Sequence, residues 1–357
     1  MQGVPLASMA AMADLRLSVL DQTPISEGST GAEAIHNTLD LVRLCDELGY
    51  HRYWLAEHHG TPMLACASPE ALIGPAAIQT SRIRVGSGGV MLPHYSPVKV
   101  AETFSILAAL APSRIDLGLG RAPGTDQITA LALQRNRRAP APDDFPQQLV
   151  ELLALLEDEM PADHPFARLA AVLPGLPEKP SPWLLGSSPQ SAIWAAELGL
   201  PYSFADFINP EGAAIAADYR SRFVESGRAP APTLSVGVVA LCAETDDEAE
   251  RLATSHKMAF SLLRRGQLIK VPPVDEAVRY WESRGPSKSS RRVIVGSPST
   301  VRAGLEEVAR EYQAEEVVLL TIAYEHEARR RSYELIADEL GLARDTAGSD
   351  VALPRSG

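Results

Sequence analysis

The sequence predicts an α/β chain closed as a single (β/α)8 TIM barrel, with an insertion between strands seven and eight. Three observations predict this. Short apolar runs alternate with helical patterns along almost the whole chain. The runs number eight, the strand count of such a barrel. The chain has 357 residues at 45% hydrophobic content, enough for one barrel with a substantial core. A doubly wound sheet shares the alternation and is the alternative, but the count and the single-domain size favour the barrel.

The elements follow in order. Residues 15–20 (LRLSVL) read as the first strand, and 21–24 (DQTP) as its loop. Residues 32–48 place Ile35, Leu39, Val42 and Leu48 near helical spacing and stop at Gly49, a suitable helix terminator. Strand two is 53–56 (YWLA). Ser68-Pro69 then gives an N-cap and a first-turn proline for a helix over 69–80. Strand three is 82–86, and Ser96-Pro97 repeats the cap signal for a helix over 97–110. Strand four is 114–119, and 145–157 (FPQQLVELLALLE) is a strongly periodic helix. Strands five, six and seven are 183–185, 202–205 and 234–241, with helices at 189–198 and 211–225. Strand eight is 317–321, closed by a helix over 326–340.

The segment 246–290 exceeds the repeat. It carries a charged helical run to Arg265 and a Pro/Ser/Arg-rich stretch, and reads as an insertion able to move over the barrel mouth. The barrel then occupies 14–345. Residues 1–13 read as a tail or an expression remnant, and 346–357 as a disordered tail.

Composition excludes some classes of function. A net charge of -12 argues against a general binder of nucleic acid or anionic membrane. Three cysteines with no CxxC argue against a disulfide framework, and a reducing cytoplasm is the simplest compartment. No stretch reads as a signal peptide or a membrane span.

A barrel of this kind works at the C-terminal ends of its strands. That makes the strand ends candidates: Asp21, Glu57-His58-His59, Gly88-Gly89, Arg121, Ser187-Ser188 and Asp206. Gly186-Ser187-Ser188-Pro189-Gln190-Ser191 is a strand end, a small-residue turn and a helix start. Its N–H groups and hydroxyls suit an anion, although an ordinary capped helix carries the same signal. Gly296-Ser297-Pro298-Ser299-Thr300 is a near twin and competes with it on physics alone. Gly118 to Gly124 spells GxGxxxG with a proline inside, so the dinucleotide fingerprint fails; Arg121 is its useful residue, a fixed cation able to pair with phosphate. Gly86-Ser87-Gly88-Gly89 lets backbone approach a flat ligand. His58-His59 lacks the partner ligands of a zinc site, and no metal is expected. On a strand, adjacent residues face opposite sides, so only one histidine can face a pocket.

Taken in order, the stretches LSVLDQTPISEG (17–28), GYHRYWLAEHHGTP (49–62), SRIRVGSGGVMLPHYSPVKVAE (81–102), SRIDLGLGRAPGTDQ (113–127), LLGSSPQSAIWAAELGLPYSFA (184–205) and VGSPSTV (295–301) resemble the bacterial luciferase-like flavin-dependent monooxygenases. The branch most similar includes antibiotic-tailoring enzymes. The resemblance implies a (β/α)8 barrel that binds reduced FMN, with His58 as the catalytic acid/base. It places Arg121, Gly186, Ser187, Ser188 and Ser191 around the FMN phosphate, favouring the first serine turn over its twin. Ser187 departs from the luciferase, which has an acidic residue there. Gly88-Gly89 matches a non-proline cis peptide under the flavin ring. Asp21, Glu57 and Phe204 are the substrate-facing candidates.

The implied chemistry is oxygenation of a small organic substrate by reduced FMN and O2 through a C4a-hydroperoxide, with an aromatic polyketide as one candidate. A separate flavin reductase would supply reduced FMN. A homodimer is expected, packed through the helices near 69–80 and 97–110. A deazaflavin-dependent hydride-transfer enzyme and a non-catalytic flavin-binding protein are the alternatives.

Overall fold

The structure, a computed structural model, describes residues 15–121, 125–134, 137–138, 143–284 and 291–343. The two expected tails and the Pro/Ser-rich stretch at 285–290 lie outside the described residues. The strands are β1 (Arg16–Asp21), β2 (Arg52–Leu55), β3 (Arg84–Met91), β4 (Ile115–Gly120), β5 (Ser181–Gly186), β6 (Tyr202–Ala205), β7 (Leu234–Cys242), β8 (Val293–Gly296) and β9 (Glu316–Leu320). All of their pairings are parallel. The ring runs β1 through β7, then β9, and β9 closes back on β1. The expected (β/α)8 barrel is therefore present.

The helices are α1 (Gly31–Leu48), α2 (Pro69–Ile78), α3 (Pro97–Leu110), α4 (Gln127–Leu133), α5 (Phe145–Glu157), α6 (Ala167–Ala170), α7 (Pro189–Glu197), α8 (Ala213–Arg222), α9 (Asp246–Leu263), α10 (Val274–Glu282), α11 (Pro298–Tyr312) and α12 (His326–Leu340). Local sequence sets their ends. Thr30 and Glu33 form a reciprocal capping box at the start of α1, and Gly49 stops it at φ 89°. Proline occupies the first turn of α2, α3, α7 and α11, where its missing N–H costs nothing.

One strand escapes the sequence reading. β7 has nine residues, and its register with β9 ends at Val239–Leu320. Beyond that pair the edge of β7 is taken by β8, which pairs with 239–242 and lies outside the ring. The expected eighth strand is thus ninth in chain order. α11 was also missed, although Val301, Leu305, Val308 and Tyr312 give it a buried face. The segment before β8 is packed against the mouth. The Val271 N–H donates to Ile25 O (2.9 Å), and Val271 O accepts from the Glu27 N–H (2.8 Å). Val271 is buried in a cluster with Met63, Leu64, Val239 and Ile322.

The lower barrel is filled by charge paired with charge. Arg52 donates to Asp116 (2.7 Å) and Glu316 (2.6 Å), and its guanidinium lies 4.5 Å from the Trp183 ring centre. Ser18 donates to Glu316, and the Trp54 indole to Asp116. Burial alone would raise the Asp116 pKa, but Arg52 and Arg84 outweigh it and hold the carboxyl below its usual value. Trp54 meets Trp183 edge to face at 5.4 Å, above this cluster. All three cysteines are free and buried.

Candidate active site

A cavity of about 610 Å³ opens above Trp54, at the C-terminal ends of the strands. Its lining follows the strand order. Gln22 comes after β1, Glu57 and His58 after β2, Gly88 and Gly89 from β3, Arg121 after β4, and Gly186, Ser187, Ser188 and Ser191 from β5 and α7. Leu20, Trp54, Ala56, Leu185, Phe207 and Val318 supply apolar wall. Every residue expected to bind phosphate or ring thus borders one space.

The histidine pair separates. β2 ends at Leu55, so both rings sit in the loop beyond it. The His58 N–H donates to Cys66 O (2.9 Å), which turns its ring to the cavity wall. Its Nδ1 is buried and has no partner among the described residues. Burial, helped by the neighbouring His59, lowers the His58 pKa from 6.5 to about 4, so the ring is neutral at neutral pH. His59 turns away. Its Nε2 is 2.7 Å from Glu57 Oε1, and its ring meets His94 edge to face at 5.9 Å. Among the described residues no three His, Cys, Asp or Glu side chains gather as a metal site would need.

The glycine pair has no room for side chains. A Cβ on Gly88 would lie 2.5 Å from Leu20 and 2.9 Å from Trp54; one on Gly89 would lie 2.8 Å from Gly118 O. The peptide between them is cis, as the family resemblance implies.

The two serine turns differ in what fills them. Ser188 and Ser191 form a reciprocal capping box at α7. Ser191 Oγ lies 2.8 Å from Tyr202 OH and fits against Gly186, where a Cβ would stand 2.2 Å from it. Arg121 makes two 3.0 Å contacts to the exposed Asp143 carboxylate, with its guanidinium 5.6 Å from the Trp194 ring centre of α7. An exposed pair of this kind is worth about 0–1 kcal/mol, so a phosphate can replace it cheaply. At the twin, Asp246 already occupies the helix terminus. Its Oδ1 accepts from the Ser297 N–H at 2.6 Å, and these bonds hold its carboxyl below the usual value. The geometry therefore separates turns that physics alone left tied in the sequence.

Of the three substrate-facing candidates, Glu57 and Phe204 border the cavity and Asp21 does not. Asp21 is buried, and its carboxylate accepts from Arg329 (2.6 Å), the Thr23 N–H (2.7 Å), Thr38 (2.7 Å) and Tyr53. Strand alternation sends it to the helix layer, where Arg329 of α12 waits. Phe204 borders the cavity, but its ring packs on Gly212, Tyr202 and Tyr312 between sheet and helices. Glu57 borders the cavity with its carboxylate committed to His59 and to the Met91 N–H (2.9 Å). Gln22, which the sequence reading passed over, does face the space.

The model of the luciferase-like monooxygenases matches residues 15–269. The chain belongs to that family. This luciferase-like monooxygenase is 42% identical over 329 residues to the luciferase-like monooxygenase of Escherichia coli (strain K12), spanning 91% of this chain and 96% of that one. The crystal structure of apo-MsnO8 superposes with a TM-score of 0.86 at 40% identity, covering 93% of this chain and 99% of that one. The oxygenating constituent of 3,6-diketocamphane monooxygenase from Pseudomonas putida, solved in complex with FMN, shares the fold at a TM-score of 0.70 and 19% identity, covering 92% and 98%. Membership makes the chain an oxidoreductase of the monooxygenase class. No described helix is long and apolar enough to cross a membrane.

Proposed function

We propose that this monooxygenase uses reduced FMN and O2 to oxygenate a small organic substrate in the cavity above Trp54. One observation carries the reading. A neutral His58, its buried Nδ1 without a partner among the described residues, shares the cavity with a cation and a serine-capped helix terminus that no described carboxylate fills. These residues fit a flavin phosphate. Arg121, Ser187, Ser188 and Ser191 would hold the phosphate at Gly186, and Gly88-Gly89 would underlie the ring, since any side chain there would clash with the wall. Bound reduced flavin supplies two electrons, so that one atom of O2 enters the substrate, the other leaves as water, and FMNH2 becomes FMN.

The chain's own part is to exclude water and handle a proton. Leu20, Trp54, Phe207 and Val318 close the space from below and from the side. His58 Nδ1 is free to accept or return a proton because no described residue binds it. Stopped-flow mixing with air tests this. Reduced FMN bound to the protein should reoxidise more slowly than free reduced FMN, and His58→Ala should abolish the delay. Equal rates for bound and free flavin would sink the proposal. Tight binding of a deazaflavin with none of FMN would transfer the site to the hydride-transfer reading.

Two partners belong to the same proposal. A separate reductase supplies reduced FMN, so the protein with FMN alone should not oxidise NAD(P)H quickly. A second copy covers the outer faces of α2 and α3, where Ile78, Ile106 and Leu110 are 70%, 47% and 55% exposed. Light scattering should give about twice the 38.3 kDa chain mass; a monomer mass would refute the dimer.

A further inference from the structure

Gln22 is a polar residue on the cavity that the proposed function leaves without a task. It is 6% exposed, and its Oε1 is buried with no partner among the described residues. A buried amide oxygen without a partner is costly, and a bound ligand is one way to satisfy it.

Its neighbours make the orientation deliberate. Asp21 on one side is pinned by Arg329, Thr38 and Tyr53. Thr23 on the other side holds φ 53°, a left-handed conformation that a β-branched residue rarely adopts. Three bonds keep it there. Its N–H donates to Asp21 Oδ1 (2.7 Å), its O accepts from the Ala65 N–H (2.9 Å), and its hydroxyl meets Thr38 (3.2 Å). The turn is therefore clamped at both ends, with the unsatisfied amide between the clamps facing the cavity.

We propose that the Gln22 carboxamide binds the imide edge of the flavin ring. This rests on the FMN reading above. The strand order sets the direction: with the phosphate held at β5 and Arg121 and the ring over Gly88-Gly89 of β3, the far end of the ring would lie toward β2 and β1, where Gln22 and His58 border the same cavity. The polar end of that ring is an imide, an N–H between two carbonyls. A carboxamide offers an acceptor next to a donor and matches it.

The test is anaerobic calorimetry with reduced FMN, read against melting of the ligand-free protein. Gln22→Met keeps the length and removes both polar atoms. It should weaken reduced FMN about tenfold. The N3-methylated analogue of reduced FMN should bind wild type about as weakly, and Gln22→Met should weaken it no further. The Tm of ligand-free Gln22→Met should equal or exceed wild type, because a buried unpaired acceptor has been removed. Binding of reduced FMN within twofold of wild type would overturn the proposal and leave the FMN site standing. A Tm lower by more than about 5 °C would overturn it as well, by exposing a structural partner for the amide. Failure of wild type itself to bind reduced FMN would overturn both readings.

Discussion

The floor and the mouth of this barrel treat polar groups differently. At the floor, Arg52 is held by Asp116 and Glu316, Ser18 and Trp54 add further bonds, and Glu316 Oε2 alone of these groups has no partner among the described residues. At the mouth, His58 Nδ1 and Gln22 Oε1 are buried with no partner among the described residues, and Arg121 pairs with an exposed aspartate beside the Trp194 ring. Burial makes the first arrangement structural, because removing one partner strands the rest. It makes the second arrangement receptive, because a bound molecule can supply the missing partners. The difference predicts that changes at the floor move stability, while changes at the mouth move binding.

The largest effect should come from the floor. Arg52→Met leaves Asp116 and Glu316 without their shared cation and should cost about 3–5 kcal/mol in urea unfolding. A loss below about 1 kcal/mol would mean that the cluster does not act as a unit. At the mouth, Arg121→Ala should weaken FMN by about tenfold to a hundredfold, since a charge-assisted phosphate contact is lost. Its Tm should stay near wild type, because the pair it gives up is exposed. A large drop in Tm would place Arg121 with the floor.

Protonation sharpens the same contrast. The folded pKa values of His58, His51 and His256 are each lowered from 6.5 to about 4, with burial as the leading cause. Between those values the unfolded chain binds more protons than the folded one, so stability falls with pH through this window and is fully present above it. Ligand-free protein should thus lose urea resistance from about pH 6.5 down to about pH 4. His58→Gln should lose less over the same range. A parallel pH profile for that variant would show that His58 is not held neutral by the mouth.

The smallest effect separates the serine turns. Ser188→Ala removes a cap at the mouth and should cost about 1 kcal/mol while also weakening FMN. Asp246→Ala empties the twin terminus and should lower Tm slightly, with FMN affinity unchanged. Equal losses of FMN affinity in both variants would erase the distinction between the turns.

The sequence carried these regions unequally. Gly88-Gly89, Arg121 and Ser188-Pro189 were legible as strand-end candidates because local chemistry marks them: paired glycines, a cation at a strand end, a cap with its proline. The floor was not legible. Arg52, Asp116 and Glu316 are 64 and 200 positions apart in turn, and only the closed register brings them together. Asp21 was misread because a strand-end aspartate looks the same whether it faces the mouth or, as here, Arg329. β8 was missed because four apolar residues after a charged segment make a weak signal, and its partner is the overhang of β7. Gln22 gave no signal, since an unpaired amide is visible only once its surroundings are packed.

The central claim is that the unpaired groups of the mouth await a flavin. Anaerobic titration with reduced FMN, monitored by calorimetry on wild type and Arg121→Ala, tests it most directly. Wild type should show one saturable site per chain, and the variant at least tenfold weaker binding. No saturable binding in wild type, or equal affinity in both proteins, would contradict it.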